Sequence, residues 1–171
     1  MKPLRALAAA GLALALGACG FHLQGTAKLP PTLERTHVAA EDRYTEFNRA
    51  LADALRASGV RLAAARADAT AVVEVLEDVT GQRVLSVSAR NTPREYEVYY
   101  TVRYRVTAGD RELLAPQSLT LTREYSFDET ALLAKEREQE LLREALAREL
   151  SALVMRRLAA LPAAVASPPA P

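Results

Sequence analysis

The chain has 171 residues, half of them hydrophobic, with 22 basic and 21 acidic side chains and a formal net charge of +1. This balance excludes the strong positive field that nucleic-acid binding needs, so no nucleic-acid partner is expected. The single cysteine, Cys19, excludes a disulfide framework, so the burial of apolar side chains must stabilise the fold.

The start of the chain has the pattern of a bacterial lipoprotein signal. A basic beginning and an apolar segment over residues 6–16 lead to Leu-Gly-Ala-Cys at residues 16–19, which has the residue order of a lipobox. We expect residues 1–18 to be removed and Cys19 to carry a diacylglycerol and an N-acyl lipid, because one acyl chain alone anchors only marginally. Gly20 after the cysteine favours the outer membrane. The alternative is an ordinary secretory signal that leaves a free thiol.

Composition divides the mature chain into a tether, one domain and a tail. Residues 19–32 form the acylated tether, in which Pro30 and Pro31 break regular structure. The domain is expected over residues 33–161, which is long enough for one core. Residues 162–171 are proline and alanine with little else, which predicts a disordered tail.

The first elements of the domain are a strand and a helix. Residues 36–40 form a short apolar segment that predicts a strand. A helix is predicted over residues 43–58, with Asp42 as a possible N-cap and Gly59 as the left-handed residue that ends it. Its apolar stripe is Tyr44, Phe47, Leu51, Leu55 and Ser58.

Three successive strands follow. The clearest covers residues 95–107, and its one-sided apolar set is Tyr96, Val98, Tyr100, Val102, Tyr104 and Val106. The strand before it places Ala71, Val73, Val75, Val79, Leu85, Val87 and Ala89 on one parity. Gly81 interrupts that strand and predicts a bulge or bend. Gly109 and Asp110 turn the chain into the last strand, where Pro116 predicts an edge or irregular position.

A long helix is predicted over residues 129–161, with Ser126 and Glu129 at capping-box spacing and Asp128 as the alternative cap. Its apolar stripe is Leu142, Leu146, Leu150, Leu153, Val154, Leu158 and Leu161. The resulting order, β-α-β-β-β-α, predicts an α+β fold in which two helices cover one face of a four-stranded mixed sheet.

The sequence has no pattern that predicts catalysis. His22 and His37 are the only histidines, and no metal-ligand spacing, nucleophile motif or phosphate loop occurs. We therefore expect a binding protein, not an enzyme, with no metal and no cofactor beyond the lipid on Cys19. The candidate binding residues are Arg83, Arg90, Arg94, Arg103 and Arg105. The alternative, that they are solubilising residues beside acidic neighbours such as Glu95 and Glu97, is favoured by composition alone.

Four segments, in order and spacing, resemble the LptE family of lipopolysaccharide-assembly lipoproteins, formerly called rare lipoprotein B. They are Cys-Gly-Phe-His-Leu-Gln-Gly at 19–25, the loop-flanking strands over 83–98, Arg-Glu-Tyr-Ser-Phe-Asp at 123–128, and Leu-Ala-Lys-Glu with its following acids at 133–140. The resemblance extends from the lipobox to Leu161.

This resemblance implies a function. The family's members act with the outer-membrane β-barrel LptD, expected at equal stoichiometry, as a plug and assembly partner that delivers lipopolysaccharide to the outer leaflet. The domain would then lie in the barrel lumen or periplasm, held by a lipid anchor in the periplasmic leaflet of the outer membrane. Lys135 and Arg90 carry over as lipopolysaccharide-binding residues. The alternatives are an unrelated periplasm-facing scaffold lipoprotein or a lipoprotein enzyme.

Overall fold

A computed structural model describes residues 28–162 of the chain, apart from the side chain of Glu129. The predictions about Cys19, the signal segment, tether residues 19–27 and tail residues 163–171 lie outside the described residues. No helix among residues 28–162 is long and apolar enough to span a membrane.

The described chain folds into a five-stranded mixed sheet with two helices on one face. The elements are β1 (Arg35–Ala39), α1 (Glu46–Ala57), β2 (Arg61–Leu62), β3 (Ala71–Val87), β4 (Pro93–Ala108), β5 (Arg111–Ser126) and α2 (Leu132–Ala159). Short 3-10 turns cover Pro31–Leu33, Arg66–Asp68 and Glu129–Ala131. The strand order is β2-β1-β3-β4-β5, with parallel pairing around β1 and antiparallel pairing from β3 onwards.

The prediction of two helices on a mixed sheet is confirmed, but the prediction of four strands is wrong. The fifth strand is β2, which consists of only Arg61 and Leu62 and pairs in parallel with β1. Two residues are too short for any periodic pattern, so only the pairing with β1 identifies this strand.

Alternation in β4 builds the centre of the core. Val98, Val102, Tyr104 and Val106 are fully buried, and Tyr100 is nearly so. They pack with the helix side chains Phe47, Leu51, Leu55, Leu146, Leu150, Val154 and Leu158. Both helices therefore cover the same face of the sheet, as the apolar stripes predicted, since each helix has one side that must leave water. The inclusion of Tyr44 in the first stripe is wrong, because that residue precedes α1 and is 77% exposed.

The expected alternation in β3 is wrong beyond Val75. A bulge between Val75 and Glu77 inserts Leu76 as an extra residue, which exchanges the two faces of the strand. Asp78 then pairs with Val102 on the helix-facing side, whereas Val79 reaches the opposite side and is 45% exposed. The register is regular through Gly81, so the bulge lies earlier than that glycine predicted.

Helix α1 is held at its start by Thr45 instead of Asp42. The Thr45 side chain accepts a hydrogen bond from the Asn48 backbone N–H, and α1 begins at Glu46. Asp42 instead accepts one from the Tyr44 N–H, two residues ahead of it, and so forms a turn before the helix. The predicted C-terminal glycine is confirmed, because Gly59 has a φ of 83°.

The last strand and helix follow the predicted course with one difference at the junction. β5 is an edge strand and its register shifts opposite Tyr104 and Val106, close to Pro116. The predicted single helix begins instead as the turn Glu129–Ala131, with α2 following from Leu132. Asp128 caps that turn, accepting a hydrogen bond of 2.9 Å from the Thr130 N–H. The capping-box alternative depends on the Glu129 side chain, which lies outside the described residues.

Candidate functional site

The two family-implied binding residues lie at the same end of the sheet. We call this the hairpin end: the β3–β4 loop over residues 88–92, the last residues of β5, and the first turns of α2. Across the sheet at this end Val84 pairs with Tyr96, and Tyr96 with Tyr125. Neighbouring strand ends therefore bring together segments that are far apart in sequence.

The β3–β4 loop is a tight turn held by its own polar groups. The Ser88 N–H donates to the Thr92 carbonyl at 2.7 Å, and the two hydroxyls of these residues are 2.6 Å apart. Asn91 has a φ of 60°, a left-handed conformation that asparagine tolerates better than most residues. Arg90 is exposed at the tip of this turn, its backbone fixed by a 3.3 Å bond from its N–H to the Ser88 hydroxyl.

An aromatic cluster fastens the end of β5 to the start of β4. The Tyr96 and Tyr125 rings stack with centroids 5.7 Å apart, and Phe127 meets Tyr96 edge-on at 5.3 Å. The Phe127 N–H also donates to the Arg94 carbonyl at 2.8 Å. Burial raises the pKa of the Tyr125 phenol, which donates a hydrogen bond to Gln82. These contacts fix the direction in which the chain enters α2.

Lys135 lies in the first turns of α2, near the end of β5. Its side chain is only 18% exposed, and its Nζ donates to Glu138 Oε2 at 2.8 Å. The same Nζ lies 3.5 Å from the Ser126 hydroxyl at the end of β5. This ion pair with Glu138 leaves the Lys135 ammonium beside the end of β5.

Two further charged groups complete this end. Hydrogen bonds from the Thr130 hydroxyl and N–H hold the pKa of Asp128 below its ordinary value, helped by the positive charges of Lys135 and Arg94. Arg94 therefore belongs to the same electrostatic neighbourhood as Lys135. The cations of the hairpin end are thus Lys135, Arg94 and exposed Arg90, and such side chains suit phosphate or carboxylate groups.

Exposed apolar side chains flank these cations, a feature that the sequence analysis missed. Relative exposures of 43–81% are found at Val84, Leu85, Val87, Leu132 and Leu133. Leu85 and Val87 were placed on the apolar side of the strand because alternation alone cannot reveal a bulge; a second register shift lies between Val84 and Ser86. Only the start of α2 offered a signal, because Leu132 and Leu133 precede the apolar stripe that begins at Leu142.

The other arginine candidates are paired with carboxylates. Arg103 Nε lies 3.6 Å from Glu77, and Arg83 Nη2 lies 2.5 Å from Glu97. Arg105 forms an ion pair with Glu74, which holds the pKa of that carboxyl below its ordinary value. Local pairing, the alternative that composition favoured, describes these three residues.

His37, the one histidine among the described residues, lies in β1. His37 directs Nδ1 to the Ala63 carbonyl at 2.9 Å, so one ring nitrogen is engaged by the backbone. Within residues 28–162, no group of three His, Cys, Asp or Glu side chains could hold a metal ion.

Comparison with known proteins identifies what the chain is similar to. The model of the LptE family, described as lipopolysaccharide-assembly, matches residues 33–158. A protein of Pectobacterium atrosepticum named LPS-assembly lipoprotein LptE is 29% identical over 151 residues, covering 86% of this chain and 81% of that protein.

Two solved structures of proteins named lipoprotein B are similar in fold to this chain. The crystal structure of rare lipoprotein B from Shewanella oneidensis superposes with a TM-score of 0.64 at 26% identity, covering 73% of this chain and 93% of that one. The solution structure of an uncharacterised lipoprotein B from Nitrosomonas europaea gives a TM-score of 0.69 at 24% identity, covering 82% and 91% respectively, and supports the fold alone.

Proposed function

The chain belongs to the LptE family, and on that basis we propose that it is an outer-membrane lipoprotein of lipopolysaccharide assembly that works with the LptD β-barrel. In this role it plugs the barrel, assists its assembly and binds lipopolysaccharide on its way to the outer leaflet. The observation that carries the proposal is the family match over residues 33–158, which spans nearly all of the described domain.

The anchor of this lipoprotein is Cys19. A diacylglycerol and an N-acyl chain on this residue supply more than the single chain that gives only marginal membrane binding, since each buried CH₂ contributes about 0.8 kcal/mol. Gly20 supports retention in the outer membrane, with the lipid in the periplasmic leaflet. The folded domain then reaches the barrel lumen from that leaflet.

Lipopolysaccharide binding is assigned to the hairpin end. Lys135 and Arg90 offer positive charge to the phosphates of lipid A, and Arg94 adds to the same neighbourhood. The exposed apolar residues beside them, among them Leu85 and Leu133, suit an amphiphile better than a soluble anion. Charge contacts of this kind weaken as salt screens them, whereas apolar contacts do not.

A plug and binding component needs no chemistry of its own, so we propose no enzymatic activity. The family membership also disfavours an unrelated scaffold lipoprotein. Such a scaffold would copurify with other envelope components, and an enzyme would need a converging polar pocket with a perturbed carboxylate or histidine.

The test is purification of the full, lipid-modified chain from its own outer membrane in mild detergent. We expect one very large β-barrel protein to copurify at equal stoichiometry. Recovery of the wild-type chain without a barrel, or with a different envelope complex, contradicts the proposal. The Cys19→Ala variant is the matched control, because it removes the anchor and leaves the described domain unchanged.

A further inference from the structure

The parallel part of the sheet ends at a crevice that the proposed function does not use. Strands β1 and β2 lie side by side in parallel, and their carboxyl ends form one wall of this crevice, with α1 as the other wall. Its volume is about 210 Å³. We call it the strand-end crevice, and its polar and small lining residues include His37, Arg43, Asn48, Ala52, Arg56 and Ala63.

The two connections that leave these strand ends run to opposite faces of the sheet. Helix α1 joins β1 to β2 on the core face. Residues 63–70 join β2 to β3 across the open face, which no helix of the described chain covers. There Arg66 pairs with Glu74 at 2.8 Å, and Glu74 also pairs with Arg105 on the same face.

This divergence follows from the handedness of the connections. The step from β1 to β2 and the step from β2 to β3 run in opposite directions across the sheet, so right-handed crossovers must use opposite faces. A gap opens between parallel strands where their connections diverge in this way. Sheets with parallel strands bind ligands preferentially at such a point, outside the carboxyl ends of the strands.

The inner wall of the strand-end crevice offers hydrogen-bond acceptors. Asn48 Nδ2 donates to the Asp42 carbonyl at 2.7 Å and to the Asp78 carboxylate at 3.2 Å, and both partners lie outside the crevice. Asn48 Oδ1, on the opposite side of the amide, is buried and has no hydrogen-bond partner within residues 28–162. His37 Nδ1 donates to the Ala63 carbonyl at 2.9 Å, so Nε2 of the neutral ring is also an acceptor. A ligand that brings hydroxyl hydrogens to this wall is therefore favoured.

Two exposed arginines supply positive charge to the same crevice. Arg56 shares its charge with Asp53, whose Oδ1 lies 2.8 Å from Nη1. Arg43 forms no ion pair with any residue of the described range 28–162. One guanidinium is thus uncompensated, which suits a singly charged carboxylate better than a doubly charged phosphate.

We propose that the strand-end crevice binds a small hydroxylated carboxylate, with sugar acids as the class that fits best. The carboxylate contacts Arg43, with Arg56 beside it, and the hydroxyls donate to Asn48 Oδ1 and His37 Nε2. The crevice has room for about seven water molecules at about 30 Å³ each. A ligand the size of one monosaccharide fills this space, whereas pockets for larger ligands begin at about 300 Å³.

The first experiment titrates D-glucuronate into the full lipid-modified chain in mild detergent and measures the heat of binding. We expect saturable binding at one site with a Kd of about 1 mM or lower. D-Glucose lacks the carboxylate and acetate lacks the hydroxyls, so each should bind at least about tenfold more weakly.

Three variants place this binding in the crevice. Arg43→Gln removes the uncompensated cation and should weaken glucuronate binding about tenfold. Arg49→Gln is the matched control, because it makes the same exchange at an exposed position of α1 outside the crevice, and its affinity should stay within about twofold. Ala52→Leu fills the crevice and should abolish binding. Both arginine variants are on the surface and should melt within about 4 °C of the wild type, so they decide the result even if Ala52→Leu is destabilised.

The outcomes of these titrations are separate from those that test the proposed function. No saturable glucuronate binding by the wild type, equal binding of glucose or acetate, or equal losses in Arg43→Gln and Arg49→Gln overturns the inference. Barrel recovery tests the proposed function and is measured without glucuronate. The crevice is far from the hairpin end, because Ala39 pairs with Glu74 near the start of β3. Arg43→Gln should therefore bind lipopolysaccharide as the wild type does, and a parallel loss would show that Arg43 acts only through general surface charge.

Discussion

The phenol of Tyr100, in the middle of β4, donates a 2.8 Å hydrogen bond to the Asp78 carboxylate on β3. The same carboxylate accepts a 2.6 Å bond from the Thr45 hydroxyl, and the Phe47 N–H lies 3.3 Å from the Tyr100 oxygen. One tyrosine thus joins two strands to the first turn of α1. Burial raises the pKa of the Tyr100 phenol, with the charge of Asp78 acting in the same direction, so it stays a donor at neutral pH.

Truncation of Tyr100 should be far more costly than truncation of its neighbour. We expect Tyr100→Ala to lower the free energy of unfolding by about 3–5 kcal/mol and Val102→Ala by about 2 kcal/mol, as for buried side chains cut to alanine. Thr101→Ala, on the open face, should cost less than about 1 kcal/mol, because it loses only a partly exposed hydroxyl pair. Urea unfolding of the purified domain measures all three. Equal losses at Tyr100 and Thr101 would mean that β4 is buried on both faces.

Asp78 should make stability depend on pH in the unusual direction for a carboxylate. Its pKa is raised above the ordinary 3.8, chiefly by burial and further by the charges of Glu46 and Asp42, against the hydrogen bonds from Thr45 and Tyr100. The folded state therefore binds a proton more tightly than the unfolded state does. The stability contributed by this proton is present below the unfolded-state pKa and is lost as pH rises through the folded-state pKa.

The measurement is the difference in unfolding free energy between the wild type and Asp78→Asn, followed from about pH 3.5 to pH 7. The wild type should lose stability relative to the variant over this range, because asparagine cannot ionise. A difference that stays level, or that grows in favour of the wild type, would show that hydrogen bonds outweigh burial at Asp78.

Reversal of charge at Lys135 and Arg90 together should weaken lipopolysaccharide binding without unfolding the domain. The Lys135→Glu, Arg90→Glu variant places anions where phosphates are expected, so affinity should fall by about tenfold or more at low salt. Arg90 is exposed. Because Lys135 is only 18% exposed and its exchange places a second carboxylate beside Glu138, the thermal midpoint should fall modestly while the domain stays folded. Binding to purified lipopolysaccharide and the thermal midpoint are measured side by side.

The matched control for this variant is Arg111→Glu, at the β4–β5 turn on the opposite end of the sheet. It also reverses an exposed arginine, and it should leave lipopolysaccharide affinity within about twofold. Unchanged binding by the double variant at low and at physiological salt would remove the hairpin end as the binding site and leave only the plug role.

Cys19→Ala should abolish the lipid anchor in the outer membrane. Alanine offers no thiol for the acyl chains, so the variant should accumulate as unattached or unprocessed protein. Mass spectrometry of the mature wild-type protein should find three acyl chains on residue 19, together with loss of residues 1–18. An unmodified thiol there would remove the main support for an outer-membrane location.

The sequence by itself determined the elements whose pattern repeats. The alternation in β4, the apolar stripes of α1 and α2, the left-handed ends at Gly59 and Gly109 and the edge position of β5 are all local consequences of side-chain periodicity or of one residue's backbone preference. These predictions hold because each pattern depends only on the residues of its own segment and not on the segment that packs against it.

Tertiary structure decided where the pattern is interrupted and which distant groups meet. The bulge at Leu76 turns Asp78 towards Tyr100 and Thr45 and moves Val79 to the face of the sheet opposite the helices, and only the register with β4 sets its position. In the same way, β2 is a strand only because it pairs with β1. Lys135 lies near Ser126 because the contacts of the aromatic cluster set the direction in which the chain enters α2. A pairing register and a contact between distant segments are set by the free energy of the whole sheet. A short segment of the sequence does not contain the information that determines this total.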